Sequence, residues 1–265
     1  MSEYQYYEFT AVDKPLNEKE MQSLRNISSR AQITPTSFVN EYHWGDFKGN
    51  PLKLVEKYFD AFLYVANWGT RWLMLKLPRN LVAVDLVKQY CPGDSAVIHE
   101  KGDHVILEFT SETEDYEWEE GEGWLSSLIS LRADILNSDY RSLYLAWLFC
   151  AQMEEIEDDE SEPPVPPNLT NLNAPLKSFV DFMRIDTDLI DVAAENSIWK
   201  EVNEFIDSKQ PAKYDEAVKL SVDQRDLHKK TGTEKAFKQK LNTICENHHR
   251  KVSFLKRMQK AGLRG

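Results

Sequence analysis

The sequence is poor in the residues that shape phosphate-binding loops. Its 265 residues hold only 10 glycines, with neither a Walker loop nor a G-x-G-x-x-G run, so a standard backbone cradle for nucleotides is not expected. Cysteine is equally scarce. Cys91, Cys150 and Cys245 are odd in number and far apart, which argues against a disulfide framework and fits a reducing compartment. No apolar run approaches the roughly 20 residues that span a bilayer, and the longest, at 61–67 and 143–150, read as buried elements. The opening Met1-Ser2-Glu3-Tyr4 lacks a basic n-region and an apolar h-region, so no secretory leader is expected and the expected location is cytoplasmic. No Ser or Cys stands on a glycine elbow, and no catalytic motif is recognisable.

What is present is core material and unevenly distributed charge. The chain is 42% hydrophobic, with seven Trp, eleven Tyr and twelve Phe, enough for a sizeable core because each aromatic ring buries a large apolar area. The net charge of −12 opposes general affinity for nucleic acid, but it conceals an asymmetry. From residue 211 onward there are 14 Lys and Arg against 6 Asp and Glu, a net of +8, leaving 18 against 38 before it, a net of −20.

Periodicity organises the chain. Alternation over 4–11 predicts a strand with Tyr7, Phe9 and Ala11 on one side and Tyr4, Tyr6 and Glu8 on the other. Asn17 with Glu20 forms a capping box, and Asn50-Pro51 marks a second helix start. Between these helices, 33–44 reads as extended, with Pro35 at a bend or edge. Two hairpins follow, 61–67 with 71–77 across Trp68-Gly69-Thr70, and 95–100 with 104–110 across Lys101-Gly102-Asp103. From Glu122 the period becomes helical. Trp124, Leu128, Leu131 and Ile135 predict one amphipathic helix, and 140–153 a buried one. Beyond the acidic, proline-rich 154–168 everything reads as helix, including one with Tyr214, Ala217, Val218 and Leu227 that ends at Gly232, one capped by Thr233, and a last one capped by Ser253. The expected fold class is α+β: a mostly antiparallel N-terminal sheet with covering helices over 1–153, a linker at 154–168, and an all-helical region at 169–265.

Each candidate site carries two readings. Cys245, His248 and His249 have the spacing of zinc ligands, but no second Cys/His pair completes the set; the alternative is helix packing, and neither a metal nor another cofactor is expected. His43, His99 and His104 fall on strands near Asp46 and Asp103, as catalytic groups or as half-buried strand positions. Asn67 to Trp72 offers two Trp beside an Arg, a stacking surface or core packing. Two acidic runs stand out, with seven acids in eleven residues at 112–122 and seven in nine at 154–162. Each is a solvated face or a docking strip for a basic partner. The first run, Glu112, Glu114, Asp115, Tyr116, Glu117, Trp118 and Glu119, embeds aromatics of the kind that anchor interfaces. The basic helices carry Lys229, Lys230, Arg250, Lys251, Lys256 and Arg257, which would follow a phosphate backbone or neutralise acidic protein surface.

Four segments, Tyr4-Gln5-Tyr6-Tyr7-Glu8-Phe9, Ile33-Thr34-Pro35-Thr36-Ser37-Phe38, residues 58–69 and Glu120-Gly121-Glu122-Gly123-Trp124-Leu125, resemble a family of bacterial proteins of unknown function; Pro163 to Pro167 and Ala261-Gly262-Leu263 extend the resemblance. Relatives of that kind are longer between the regions around Ile190 and Trp199, and the resemblance implies no activity. The leading expectation is a non-enzymatic protein-interaction or adaptor module that uses its acidic and basic faces, with another protein as partner and self-association left open. Nucleic-acid binding through the C-terminal helices is the alternative. An enzyme built around His99, His104 and Asp103 comes third.

Overall fold

The computed structural model describes residues 3–113, 119–157 and 159–264. They form an α+β fold, with a seven-stranded antiparallel sheet in the N-terminal half and helices that predominate after it. The strands are β1 (Gln5–Thr10), β2 (Gln32–Ile33), β3 (Ser37–Tyr42), β4 (Ala61–Ala66), β5 (Arg71–Pro78), β6 (Ala96–Lys101) and β7 (His104–Ser111). Their order across the sheet is β2-β3-β1-β4-β5-β7-β6. Both expected hairpins form, and β4 joins β1 to bring the two halves of the sheet together.

One face is covered by α1 (Glu18–Ile27) and α2 (Pro51–Lys57). Both start where the sequence places them. Asn17 accepts from the amides of Lys19 and Glu20 while the Glu20 carboxylate accepts the Asn17 N–H at 2.8 Å. Asn50 accepts from the Lys53 amide at 2.9 Å. Such caps satisfy amides that have no partner inside the helix. Under these helices Phe9, Phe38, Phe59 and Phe62 are fully buried, with the Phe9 and Phe62 rings 4.5 Å apart. A short α3 (Val84–Lys88) lies between the hairpins.

The opposite face is covered by α4 (Trp124–Leu128), α5 (Leu131–Leu136), α6 (Arg141–Gln152) and α7 (Ala174–Met183), which meet β4, β5, β6 and β7 respectively. The single helix expected from Trp124 to Ile135 is therefore two, interrupted at Ile129 and Ser130. Leu125, Leu128, Leu131 and Ile135 are all buried across the break, so the apolar spacing records the inward face and not backbone continuity.

The chain divides into two compact units, Met1–Ile190 and Asp191–Gly265. The stretch 154–168 belongs to the first. There Glu155 accepts from the Ser95 amide and hydroxyl at 2.9 and 2.6 Å, and Tyr90 donates to the Pro164 carbonyl at 2.7 Å. α8 (Thr187–Asp207) runs on into the second unit, which adds α9 (Pro211–Thr231), α10 (Glu234–Asn247) and α11 (Val252–Lys260) around Trp199, Val202, Ile206, Phe237, Leu241 and Phe254. α9 ends at Gly232, whose φ of 73° suits glycine. Its buried stripe is Tyr214, Ala217, Ser221, Gln224 and His228, at alternating spacings of three and four, while Leu227 is 50% exposed. Two of the polar members meet partners close by, Ser221 donating to the Ala217 carbonyl at 2.8 Å and His228 Nδ1 meeting the Thr233 hydroxyl at 2.6 Å, whereas Gln224 Oε1 is buried with no hydrogen-bond partner among the described residues. Thr233 thus makes no side-chain cap for α10, and α11 begins at Val252 with no side-chain cap from Ser253.

A buried ion pair ties the first unit together. Lys76 Nζ on β5 lies 3.1 Å from Asp60 Oδ1 at the entrance to β4 and donates to the Val55 carbonyl of α2 at 3.0 Å. Asp60 Oδ2 accepts the amides of Val12 and Asp13 at 2.7 and 2.9 Å. Burial alone would raise the Asp60 carboxyl; the Asp13 amide, the Lys76 ammonium and the Val12 amide outweigh it and hold the group below its ordinary value. Asp60→Ala leaves Lys76 buried without a counter-ion and is expected to cost about 3–5 kcal/mol in urea unfolding at pH 7. A loss under ~1 kcal/mol would instead mark the pair as solvent-screened. Because the folded-state value is depressed, this stabilisation is complete above the unfolded value near 3.8 and is lost as pH falls through the folded one. The acid limb of the stability profile should accordingly be shallower in Asp60→Asn.

Candidate aromatic and acidic cleft

Cross-strand register builds a row of large side chains on the face that carries α2. Tyr7 of β1 stands opposite Tyr64 of β4, Tyr64 opposite Trp72 of β5, and Trp72 opposite Thr110 of β7. Strand alternation puts all four on one side of the sheet. This row floors a cleft of about 430 Å³, walled by Phe47, Gly49 and Pro51 from the approach to α2 and rimmed by Thr70, Glu108 and Glu112. The Phe47 ring lies over Gly49, where an added Cβ would stand 2.6 Å from the ring edge.

Gln5 organises the tyrosines. Its Oε1 accepts from Tyr7 at 2.8 Å and from Tyr64 at 3.2 Å, while its Nε2 donates to the Gly45 carbonyl at 3.0 Å. Burial pushes the Tyr7 hydroxyl up to about 12, and burial together with Tyr7 raises Tyr64 further. Both are neutral donors at physiological pH. The Trp72 indole packs edge-on against Phe62 at 5.1 Å, and its Nε1 is buried with no hydrogen-bond partner among the described residues. At the rim, Glu108 Oε2 lies 2.5 Å from His99 Nε2, whereas Glu112 is exposed. Four aromatic residues backed by two carboxylates form a site suited to a cation, because ring faces carry partial negative charge.

The β4–β5 turn holds both described flanks of the first acidic run. Thr113 N–H donates to the Gly69 carbonyl at 3.3 Å, and the Glu119 carboxylate pairs with the Arg71 guanidinium. Arg71 also donates to the Asp181 and Phe182 carbonyls at the end of α7, at 2.7 and 3.0 Å, and lies over the Trp124 ring at 5.4 Å. Of the expected docking residues, Glu112 therefore lines the cleft and Glu119 serves the Arg71 clamp. Glu114, Asp115, Tyr116, Glu117 and Trp118 lie outside the described residues. Within the aromatic hairpin the roles separate: Trp72 enters the cleft, Trp68 is 36% exposed, and Arg71 stacks on Trp124 rather than on either of them.

The other candidates are dispersed. His99 pairs with Glu108 rather than with Asp103, and His104 lines a separate small cavity beside Asp60 and Lys76. His43 is exposed, its ring 5.9 Å from that of Tyr4. Cys245 is half-buried against the core of the second unit, His248 is buried and hydrogen-bonded to Asn203 at 2.8 Å, and His249 is exposed. Among the described residues no group of three or more His, Cys, Asp and Glu could hold a metal ion, and no helix is long and apolar enough to cross a membrane. Lys229 and Lys230 occupy the last turn of α9, whereas Arg257 pairs with Asp215, the fifth residue of that helix, at 2.7 Å. The fourteen-residue interval from Asp215 to Lys229 separates these groups by about 21 Å of helix. Arg250 and Lys251 precede α11, and Lys256 is exposed upon it.

Sequence reasoning missed the Tyr7, Tyr64 and Trp72 row and the part played by Glu108. The alternation that places each residue was legible, but the strand order that makes them neighbours was not. No family model, no curated protein and no solved structure matches the chain.

Gly69 is where the β4–β5 turn meets Thr113 in the acidic run. Its φ is 96°, and a Cβ there would stand 2.1 Å from the Thr113 carbonyl oxygen. Gly69→Ala is expected to lower stability by about 1–3 kcal/mol, read as a drop in Tm; an unchanged Tm would refute this account of the turn.

Proposed function

We propose that the protein is a non-enzymatic interaction module that docks a basic segment of another protein on its acidic, aromatic face. The observation that carries this reading is the position of Glu112, the first residue of the acidic run, on the rim of the cleft floored by Tyr7, Tyr64 and Trp72. The charge of −20 before residue 211 supports it, since a concentrated negative field raises the encounter rate of a positive partner and rejects a negative one. Aromatic residues at the cleft supply contact area that carboxylates alone would lack. The exposed Lys229 and Lys230 support nucleic-acid association less well, because α9 separates them from Arg257 and because the rest of the chain repels phosphate.

A labelled oligolysine peptide and a labelled DNA duplex of matched charge discriminate the two readings in anisotropy titrations at low and moderate salt. The peptide should bind, weaken as salt rises, and lose about tenfold in affinity in Glu108→Gln/Glu112→Gln, the equivalent of ~1.4 kcal/mol. Equal peptide binding by that variant would remove the cleft from the interface. Tighter binding of the duplex, abolished by Lys229→Ala/Lys230→Ala, would transfer the function to the C-terminal helices.

A further inference from the structure

We infer that the proline strap at 162–167 is a preformed ligand for a groove on another protein, one lined by aromatic residues and flanked by basic ones. The strap takes no part in the acidic cleft, so this contact stands apart from the docking assignment above. Proline fixes its own φ at about −65° and pushes the residue before it to extended backbone. Glu162, Pro163, Val165 and Pro166 each precede a proline, which favours a polyproline helix of about three residues per turn over this run. The structure agrees: 161–166 is neither helix nor strand, and burial recurs at every third residue, at Pro163, Pro166 and Leu169. Pro164 and Pro167, spaced in the same way, are exposed. Two tyrosines fasten the strap, Tyr90 donating to the Pro164 carbonyl at 2.7 Å and Tyr144 to the Glu162 carboxylate at 2.6 Å. The segment is therefore extended, anchored on one side and open on the other, which spares a partner the cost of ordering it.

A cavity of about 680 Å³ lies beside the strap, lined by Leu86, Tyr90 and Tyr140 and by Pro164, Pro166 and Pro167 of the strap itself. The charges on its wall are closed on one another, Arg141 donating to Asp139 at 2.9 Å and to the Asn171 carbonyl at 2.9 Å. The cavity thus offers rings and proline faces to an aromatic side chain of the partner rather than a site for an ion. The exposed acids that lead into the strap, Glu157, Asp159 and Glu160, call for basic residues on the flank of the partner's groove.

A panel of purified SH3 and WW domains, with basic or acidic flanks to their aromatic grooves, tests the strap on the whole protein by calorimetric titration. Basic-flanked domains should bind, more tightly than acidic-flanked ones and more weakly as salt rises. Pro164→Ala/Pro167→Ala should lower the affinity at least about tenfold. Both prolines are exposed, and an unchanged circular dichroism spectrum checks that the variant folds. Tyr140→Leu, which removes a facing ring and keeps the strap, should weaken binding by a similar factor, and Asp159→Asn/Glu160→Gln about threefold. Glu108→Gln/Glu112→Gln should leave it unchanged. Binding by none of the domains, no preference for basic flanks, or equal binding by Pro164→Ala/Pro167→Ala would overturn the inference. So would loss of binding in Glu108→Gln/Glu112→Gln, which would place the contact at the cleft and leave the docking assignment standing.

Discussion

The pairing of Lys76 with Asp60 inside the first unit is the constraint on which the surrounding structure depends. A lysine buried near the end of a central strand is costly unless its charge is met, and here the counter-charge comes from the residue that leads into β4. Asp60 in turn collects the amides of Val12 and Asp13 just beyond β1, and Lys76 collects a carbonyl from α2. From the opposite face Arg132 of α5 donates to the Lys76 carbonyl at 2.6 Å and pairs with Asp13. A single charged cluster therefore specifies how the ends of β1, β4 and β5 meet one covering helix on each face. Apolar packing over the same area would stabilise the sheet with less discrimination between registers.

Arg71 does corresponding work at the other end of β5, on the face away from the cleft. Its guanidinium takes the last carbonyls of α7, the Glu119 carboxylate and the face of Trp124 together, which suits a planar, forked, permanently charged group. Arg184, the C-cap of α7, donates to the Gly69 carbonyl at 2.9 Å. α7 and the β4–β5 turn are thereby joined from both sides. The cleft lies on the reverse of this joint. Its floor is rigid because the strands beneath it are paired on both sides, and its rim is acidic because β7 leads directly into the acidic run. A preorganised aromatic floor lowers the ordering cost of binding.

Local signals were highly legible. The Asn17 capping box, the Asn50-Pro51 start, the glycine end of α9 and both hairpins each depend on neighbours within a few residues, and all formed where expected. The side assignment of Tyr7, Phe9 and Ala11 also held, since alternation is a property of the strand itself. The break between α4 and α5 and the polar stripe of α9 escaped notice for a common reason. Periodicity locates apolar residues, while it does not name the backbone turn between α4 and α5 or the polar residues, Ser221, Gln224 and His228, that a helix face can carry inward.

The candidate site divides along the same line. Sequence alone determined the acidic run, the aromatic hairpin and the charge asymmetry, because composition and short-range order are written directly in the chain. Tertiary structure alone decided that Tyr7, Tyr64, Trp72 and Thr110 share one row, that Glu108 faces His99, and that Arg71 turns to Trp124. Those juxtapositions join residues as much as a hundred positions apart. They arise from strand order and from satisfying buried charge, which are global constraints that no local window of sequence contains.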